Sequence, residues 1–178
     1  MKIALSALVA GNLTMTEFLQ QAKDSGYDAV ELSLRPAPEA ALNFQVSDAR
    51  LAEIKQQAAA LGLQVASLTI GAPSGNLLQA GQSGDEGIAW AVRGLECAAK
   101  LGAKVCLHTL GRLSPELYYE DAYQNAIAAG KKIAAAAEKI GVTFAVEFIW
   151  NGFLFSPLEM RNFLDSINSP RVGFYFDP

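Results

Sequence analysis

The sequence predicts an α/β fold of the (β/α)8 TIM-barrel type, incomplete as given, with about six strands and five helices. Two observations lead to this prediction: a repeated unit of helix, glycine and strand, and strands that are apolar on one face only. The chain has 178 residues, is 51% hydrophobic and carries a net charge of −4. We expect a single domain over residues 1–178, because this length suits one core and this composition excludes a disordered chain.

Four segments share one pattern, in which a glycine ends a helical stretch and a short β-branched or aromatic strand follows. The glycines are Gly26, Gly62, Gly102 and Gly141. Glycine adopts the left-handed conformation that closes a helix at little cost. A period of about 40 residues with alternating helix and strand predicts stacked βα units around a parallel sheet.

The individual elements follow from this repeat. Strands are predicted near residues 2–8, 28–34, 64–70, 103–109, 142–148 and 171–177. Helices are predicted near residues 15–25, 48–61, 86–101, 121–140 and 157–167. Capping residues mark the helix starts, namely Thr14 with Glu17, Ser47, Asp85, and Ser156 with Glu159. The long loops follow strands, which predicts a site at the carboxyl ends of the strands.

Alternate strand residues divide into two faces. The face predicted to point into the barrel is small or polar and comprises Ala4, Ser6, Ala29, Glu31, Ser33, Val65, Ser67, Thr69, Cys106, His108, Ala145, Glu147, Tyr175 and Asp177. The other face, which includes Val105 and Leu107, is apolar and is predicted to lie under helices. A doubly wound sheet, the alternative fold, is apolar on both faces. Glu31 lies in mid-strand, so we expect it to have a buried partner.

Polar side chains near the predicted strand ends indicate a site. They are His108, Glu147 and Asp177. Oxygen ligands with one imidazole suit a divalent cation such as Mg²⁺ or Mn²⁺. A carboxylate beside a metal-bound carbonyl can also remove a proton from the adjacent carbon.

Three stretches of the sequence match one known group of barrel enzymes. They are the segment GYDAVEL over 26–32, Glu147 with the Ser-Pro-x-Glu helix start at 156–159, and RVGFYFDP over 171–178. With these stretches the chain resembles the xylose-isomerase-like TIM barrels, the superfamily of sugar phosphate isomerases and epimerases. The resemblance implies a metal-dependent isomerase or epimerase that acts on a sugar or sugar phosphate. It implies Glu147 as metal ligand and catalytic base, Asp177 as metal ligand, and Mn²⁺ or Mg²⁺ as cofactor, with Co²⁺ or Zn²⁺ as alternatives.

The resemblance also implies features that this sequence does not supply. Ketose epimerases of the group hold their metal with four ligands on strands five to eight, of which only Glu147 and Asp177 have a match here. We therefore expect a fragment that coordinates metal incompletely and turns over little. The alternative is a non-catalytic remnant or an assembly module that forms a homo-oligomer through open strand edges.

The loop after Glu147 offers candidate substrate contacts. We predict substrate binding by His108, Trp150, Asn151 and Phe153. His108 could equally be a core histidine, and Trp150, Phe153 and Phe155 could equally pack on the core of their own loop.

Other function classes fit less well. An abasic-site endonuclease needs several histidines and a basic face, and a Schiff-base aldolase needs a lysine at the rim, whereas Lys104 lies at the opposite end of its strand. Cys97 and Cys106 match neither a disulfide framework nor a metal motif, which indicates a reducing, cytoplasmic setting. Acidic charge and the lack of an apolar run of about 18 residues predict neither a nucleic-acid nor a membrane partner.

Overall fold

The computed structural model describes residues 2–37, 40–71 and 75–177, and within them parallel strands alternate with helices as predicted. The strands are β1 (Ala4–Ser6), β2 (Ala29–Leu34), β3 (Gln64–Ile70), β4 (Val105–His108), β5 (Thr143–Val146) and β6 (Val172–Phe174). The helices are α1 (Met15–Asp24), α2 (Asp48–Ala60), α3 (Gly81–Leu101), α4 (Tyr119–Ile140) and α5 (Pro157–Ile167). Pro178, the last residue of the predicted terminal motif, lies outside the described residues.

Each strand pairs in parallel with the next strand along the chain, in the order β1-β2-β3-β4-β5-β6. Among the described strands β1 and β6 do not pair, so the sheet is an open arc with helices on its outer side. The predicted α/β fold class is therefore confirmed, in the form of a partial barrel. No helix in the described part of the chain is long and apolar enough to cross a membrane.

Several helix termini have the predicted chemistry. Thr14 and Glu17 form a reciprocal capping box at the start of α1, and the Ser47 side chain accepts from the Arg50 backbone amide at the start of α2. Gly102 and Gly141 close α3 and α4 with φ values of +86° and +83°. A side chain at either position would be strained, which explains why the repeat places glycine there.

The start of α3 differs from the prediction. The helix begins at Gly81 with Ala80 as its N-cap, so Asp85 lies within the helix and the prediction that it caps was wrong. The sequence favoured a later start because glycine is a poor helix former. A contact from outside the helix accompanies the earlier start at Gly81. The Asn76 backbone amide donates to the Ser83 carbonyl at 3.0 Å.

Helix α3 lies very close to the outer face of the sheet. A Cβ atom added to Gly94 would lie 2.4 Å from Ile70 Cδ1 and 3.0 Å from Cys106 Sγ. Only a glycine on the helix leaves room for this approach. The Cys106 thiol is therefore sealed under α3, and burial raises its pKa.

The two faces of β4 are the reverse of the prediction. In the sheet register Leu107 lies beside Thr69, so Val105 and Leu107 point into the arc. Cys106 and His108 point toward the helices, and their predicted inward orientation was wrong. Alternation shows which residues share a face, but it does not show which face is inside. In the structure Cys106 faces Gly94 of α3, which fixes β4 with its Cys106 and His108 side on the helices.

An irregularity in β3 corrects one more residue. Val65 pairs with Val30, whereas Ser67 pairs with Glu31, so Ala66 is an extra residue in the ladder. Val65 therefore lies on the helix side with Val30 rather than inside the arc. An inserted residue shifts the alternation by one, and the sequence pattern carries no sign of it.

Candidate functional site

A buried carboxylate lies on the inner face of the arc. Glu31 on β2 is 8% exposed. Its side chain accepts hydrogen bonds from the hydroxyls of Ser6 at 2.8 Å, Ser67 at 2.7 Å and Tyr175 at 2.9 Å. The expectation that Glu31 has buried partners is confirmed, and the partners are hydroxyls from three other segments of the chain.

Glu147 stands at the carboxyl end of β5, beside β6. Its backbone amide donates to the His108 carbonyl at 3.2 Å, which extends the ladder between β4 and β5 to this residue. The Tyr175 amide donates to the Val146 carbonyl at 2.8 Å and so places Tyr175 next to Glu147. The carboxylate is partly buried, and this burial, followed by the negative charges of Asp177 and Glu31, raises the pKa of Glu147.

Asp177 follows the end of β6 and is exposed. Because its charge contributes to the raised pKa of Glu147, the two carboxylates lie within electrostatic range at the ends of adjoining strands. Glu147 and Asp177, the two residues predicted as metal ligands, thus follow adjoining strands, and their role as ligands stays a prediction. Over residues 2–37, 40–71 and 75–177, no group of three His, Cys, Asp or Glu side chains is arranged to hold a metal ion.

This pair fits part of a cation site. Two carboxylates supply the hard oxygen donors that Mg²⁺ and Mn²⁺ prefer. Glu147 carries the repulsion of Asp177 and Glu31, and a divalent cation between the carboxylates would relieve that repulsion.

His108 lies apart from these carboxylates. Its side chain is 1% exposed on the helix side of β4, with its ring centroid 5.6 Å from that of Phe144. Nδ1 accepts from the Leu110 backbone amide at 2.8 Å, and Nε2 has no hydrogen-bond partner within the described residues. Burial lowers the pKa of His108 to about 4. The structure places this residue in the core, which was the alternative to its predicted substrate contact.

Asn151 joins two of the long loops. Its side-chain amide donates to the carbonyls of Thr109 at 2.8 Å and Gly111 at 2.7 Å, and its backbone carbonyl accepts from the Leu113 amide at 3.1 Å. The side chain is buried and serves as a brace between the loop after β4 and the loop after β5. No feature of the sequence indicates this role, because the partners are backbone atoms about 40 residues away.

Phe153 packs into an aromatic cluster under its own loop. It is 1% exposed, with ring centroids 5.4 Å from Tyr119, 6.2 Å from Tyr123 and 6.2 Å from Phe163. Phe155 is largely exposed and stacks on Tyr119 at 5.9 Å. These contacts correspond to the loop-packing alternative for both phenylalanines.

The start of α5 adds a hydrogen bond to this cluster. Ser156 caps the helix as predicted, by accepting from the Glu159 amide. The Glu159 side chain does not accept from the Ser156 backbone amide, so the capping box is not reciprocal. Its carboxylate accepts from the Phe155 amide at 2.7 Å and from the Tyr119 hydroxyl. A tertiary partner, Tyr119, therefore shares the carboxylate that the local pattern assigned to the helix terminus.

Trp150 is fully exposed. Its side chain does not pack on the core of its loop, and its contact with a substrate stays a prediction.

Comparisons with known proteins agree with this architecture. The family model for the xylose isomerase-like TIM barrel matches residues 19–178. No curated protein matches the chain.

Several solved structures share the fold. One is a D-psicose 3-epimerase from Clostridium cellulolyticum H10, with TM-score 0.81, 18% identity, and coverage of 97% of this chain and 62% of that chain. Another is an L-ribulose 3-epimerase, with TM-score 0.78, 23% identity, and coverage of 96% and 58%. A third is a family 2 AP endonuclease from Brucella melitensis, with TM-score 0.79, 17% identity, and coverage of 99% and 69%. The chain spans about three fifths of the length of the two epimerases.

Proposed function

The chain belongs to the xylose isomerase-like TIM barrel family, and on this premise we propose that the protein is a metal-dependent isomerase or epimerase of a sugar or sugar phosphate. The observation that carries the proposal is the pair of carboxylates Glu147 and Asp177 at adjoining strand ends, where the charge of one raises the pKa of the other. The names of two fold neighbours, a D-psicose 3-epimerase and an L-ribulose 3-epimerase, support a ketose as substrate.

The proposed chemistry is proton transfer at the carbon next to a carbonyl. Glu147 takes up this proton, and its raised pKa makes its ionised form a stronger base than an ordinary glutamate. Asp177 and Glu147 together hold a divalent cation, with Mn²⁺ or Mg²⁺ suited to their oxygens and Co²⁺ or Zn²⁺ as alternatives. When bound, the cation would polarise the carbonyl and hydroxyl oxygens of the substrate.

We expect weak binding and slow turnover from the 178-residue chain itself. Glu147 and Asp177 are two of the four ligands that the family resemblance implies. A site with fewer protein ligands leaves more of the ion hydrated and holds the substrate less firmly.

Solvent deuterium exchange tests the function. The chain is incubated with Mn²⁺ in deuterated water with D-psicose or L-ribulose, and proton NMR follows the loss of signal at the carbons next to the carbonyl. We expect slow exchange that Glu147→Gln abolishes and that Tyr118→Phe, a change at an exposed residue, leaves intact. Exchange that survives in Glu147→Gln, or that does not occur with either sugar, contradicts the proposal.

An endonuclease function is the less supported alternative within the same fold. One fold neighbour is an AP endonuclease. His108, the one histidine of the sequence, is buried on the helix side and is not available to a metal beside Glu147. A net charge of −4 also opposes binding to phosphate backbones. Binding of abasic DNA that weakens with salt would favour this alternative.

A non-catalytic assembly module is the second alternative. Apolar side chains are exposed near both edges of the arc, with Ile3 54% exposed beside β1 and Phe176 67% exposed after β6. Exposed strand edges with apolar neighbours favour association. Sedimentation analysis tests this alternative, since a monomer at all concentrations contradicts pairing through the edges.

A further inference from the structure

The buried carboxylate of Glu31 takes no part in the proposed proton transfer, yet three hydroxyls converge on it. No lysine or arginine in the described ranges lies within 4.0 Å of it as an ion pair. A buried carboxylate without a cation depends on hydrogen-bond donors, and bonds to a charged acceptor are stronger than neutral ones. The donors to Glu31 are therefore energetically important contacts.

One of the three donors differs from the others in its position. Ser6 and Ser67 lie on β1 and β3, the immediate neighbours of β2, and their bonds follow from the sheet register. Tyr175 follows β6, at the other end of the arc, so its bond to Glu31 spans the interior. This bond joins two segments that the sheet does not join.

The end of β6 is joined to the sheet on one side only within the described strands. The strand has three residues and, among the described strands, pairs only with β5. Tyr175 is the next residue, its amide bonds to Val146, and it lies beside Glu147 and two residues before Asp177. A shift of Tyr175 would therefore move Asp177 relative to Glu147.

We propose that Tyr175 is a positioning residue whose hydroxyl, bonded to Glu31 across the interior, fixes the end of β6 and thereby the separation of the Asp177 and Glu147 carboxylates. The inference deepens the proposed function and rests on it, because this separation decides whether one cation can bridge the pair. The Tyr175 hydroxyl lies 2.9 Å from the Glu31 carboxylate and is the donor in this bond.

The coupling between the two carboxylates tests the inference without any metal. Carboxyl NMR titration of the metal-free chain gives the pKa of Glu147 with and without Asp177→Asn, first in the native background and then in Tyr175→Phe. We expect Asp177→Asn to lower the pKa of Glu147 in the native background and to lower it by about half as much or less in Tyr175→Phe. Ser6→Ala removes a different hydroxyl from Glu31 and Tyr118→Phe removes an exposed one, so both should retain the native coupling.

Two outcomes overturn the inference. One is an equal effect of Asp177→Asn in the native and Tyr175→Phe backgrounds, or no effect in either. The other is an equal loss of coupling in Ser6→Ala and Tyr175→Phe, which would reflect general loosening around Glu31. If Tyr175→Phe does not fold, as judged by circular dichroism, Glu31→Ala provides the second variant, because it removes the acceptor of the same bond, and native coupling there overturns the inference.

A separate measurement distinguishes this inference from the proposed function. Mn²⁺ titration by electron paramagnetic resonance should show about tenfold weaker binding in Tyr175→Phe than in the native chain, close to the lower end of the effect of one lost hydrogen bond to a charged group. Absence of binding in the native chain contradicts the proposed function, while the carboxylate coupling still decides the role of Tyr175. Native affinity in Tyr175→Phe overturns the positioning role.

Discussion

Glu147 and His108 show how one physical cause acts on two kinds of group. Burial disfavours the charged form of each, so it raises the pKa of the acid and lowers the pKa of the base. Their consequences for stability therefore have opposite signs along the pH scale. Glu147 is destabilising when ionised near neutrality, whereas His108 becomes destabilising only when acid protonates it.

Replacing Glu147 tests the first of these consequences. The pKa of Glu147 is higher in the folded chain than in the unfolded chain. Its contribution to stability is therefore present below its ordinary pKa and is lost as the pH rises through the folded-state pKa. Glu147→Gln in metal-free buffer should raise the melting temperature by about 1–2 °C near neutral pH, with no gain below about pH 4. Calorimetry measures the shift, with Glu116→Gln, a change at an exposed loop residue, as control. A lower melting temperature for Glu147→Gln near neutral pH contradicts the assignment.

The buried histidine predicts acid sensitivity. Its folded pKa of about 4 lies below the ordinary 6.5, so its contribution to stability is present above the ordinary value and is lost as the pH falls toward the folded one. The loss between about pH 7 and pH 4.5 is on the order of 2 kcal/mol. Urea unfolding of His108→Asn, which keeps an acceptor for the Leu110 amide, should show a shallower fall over this range. Parallel curves for the two proteins would show that His108 does not titrate in this way.

At the scale of elements, local patterns determined most of the architecture. The helix-glycine-strand repeat predicted α1 to α4 and β2 to β5, and the Ser-Pro start predicted α5, because capping and periodicity act within a few residues. The orientation of β4 and the bulge at Ala66 were not predictable, since each depends on packing against another element. The same limit applies to Asn151 and Phe153, whose partners lie on other loops and helices.

Two adjacent loop residues should respond very differently to truncation. Asn151→Ala leaves the Thr109 and Gly111 carbonyls without their donor and should lower the free energy of unfolding by about 1–3 kcal/mol. Trp150→Ala removes a fully exposed side chain and should change it by less than about 0.5 kcal/mol. Denaturant titration of both variants checks the contrast. Equal effects would mean that Asn151 does not brace the loops.

The close approach of α3 to the sheet gives an independent test of the corrected β4 orientation. Gly94→Ala would force Ile70 and Cys106 to move and should cost about 1–3 kcal/mol. Gly173→Ala, where an added Cβ would meet only Thr143 Cγ2 at 3.7 Å, is the matched control and should be close to neutral. Thermal unfolding that is unchanged in Gly94→Ala would contradict Cys106 facing the helix.

For the molecule as a whole, the sequence predicted that Glu147 and Asp177 follow adjoining strands, but not the contact that joins the two ends of the arc. The neighbouring positions of Glu147 and Asp177 could be predicted from the sequence, because the carboxyl ends of successive parallel strands meet at one edge of a sheet. The bond between Tyr175 and Glu31 spans 144 residues and has no local signature. The arrangement of the site thus depends on a contact between opposite ends of the arc, which only the folded chain reveals.

Mn²⁺ binding to the 178-residue chain shows whether Glu147 and Asp177 together bind one divalent cation. Titration followed by electron paramagnetic resonance should show weak, saturable binding of one ion. Glu147→Gln and Asp177→Asn should each weaken it by about tenfold or more, while Glu116→Gln has no effect. Binding that persists unchanged in both variants, or no binding by the native chain, would show that the two carboxylates do not bind a cation together.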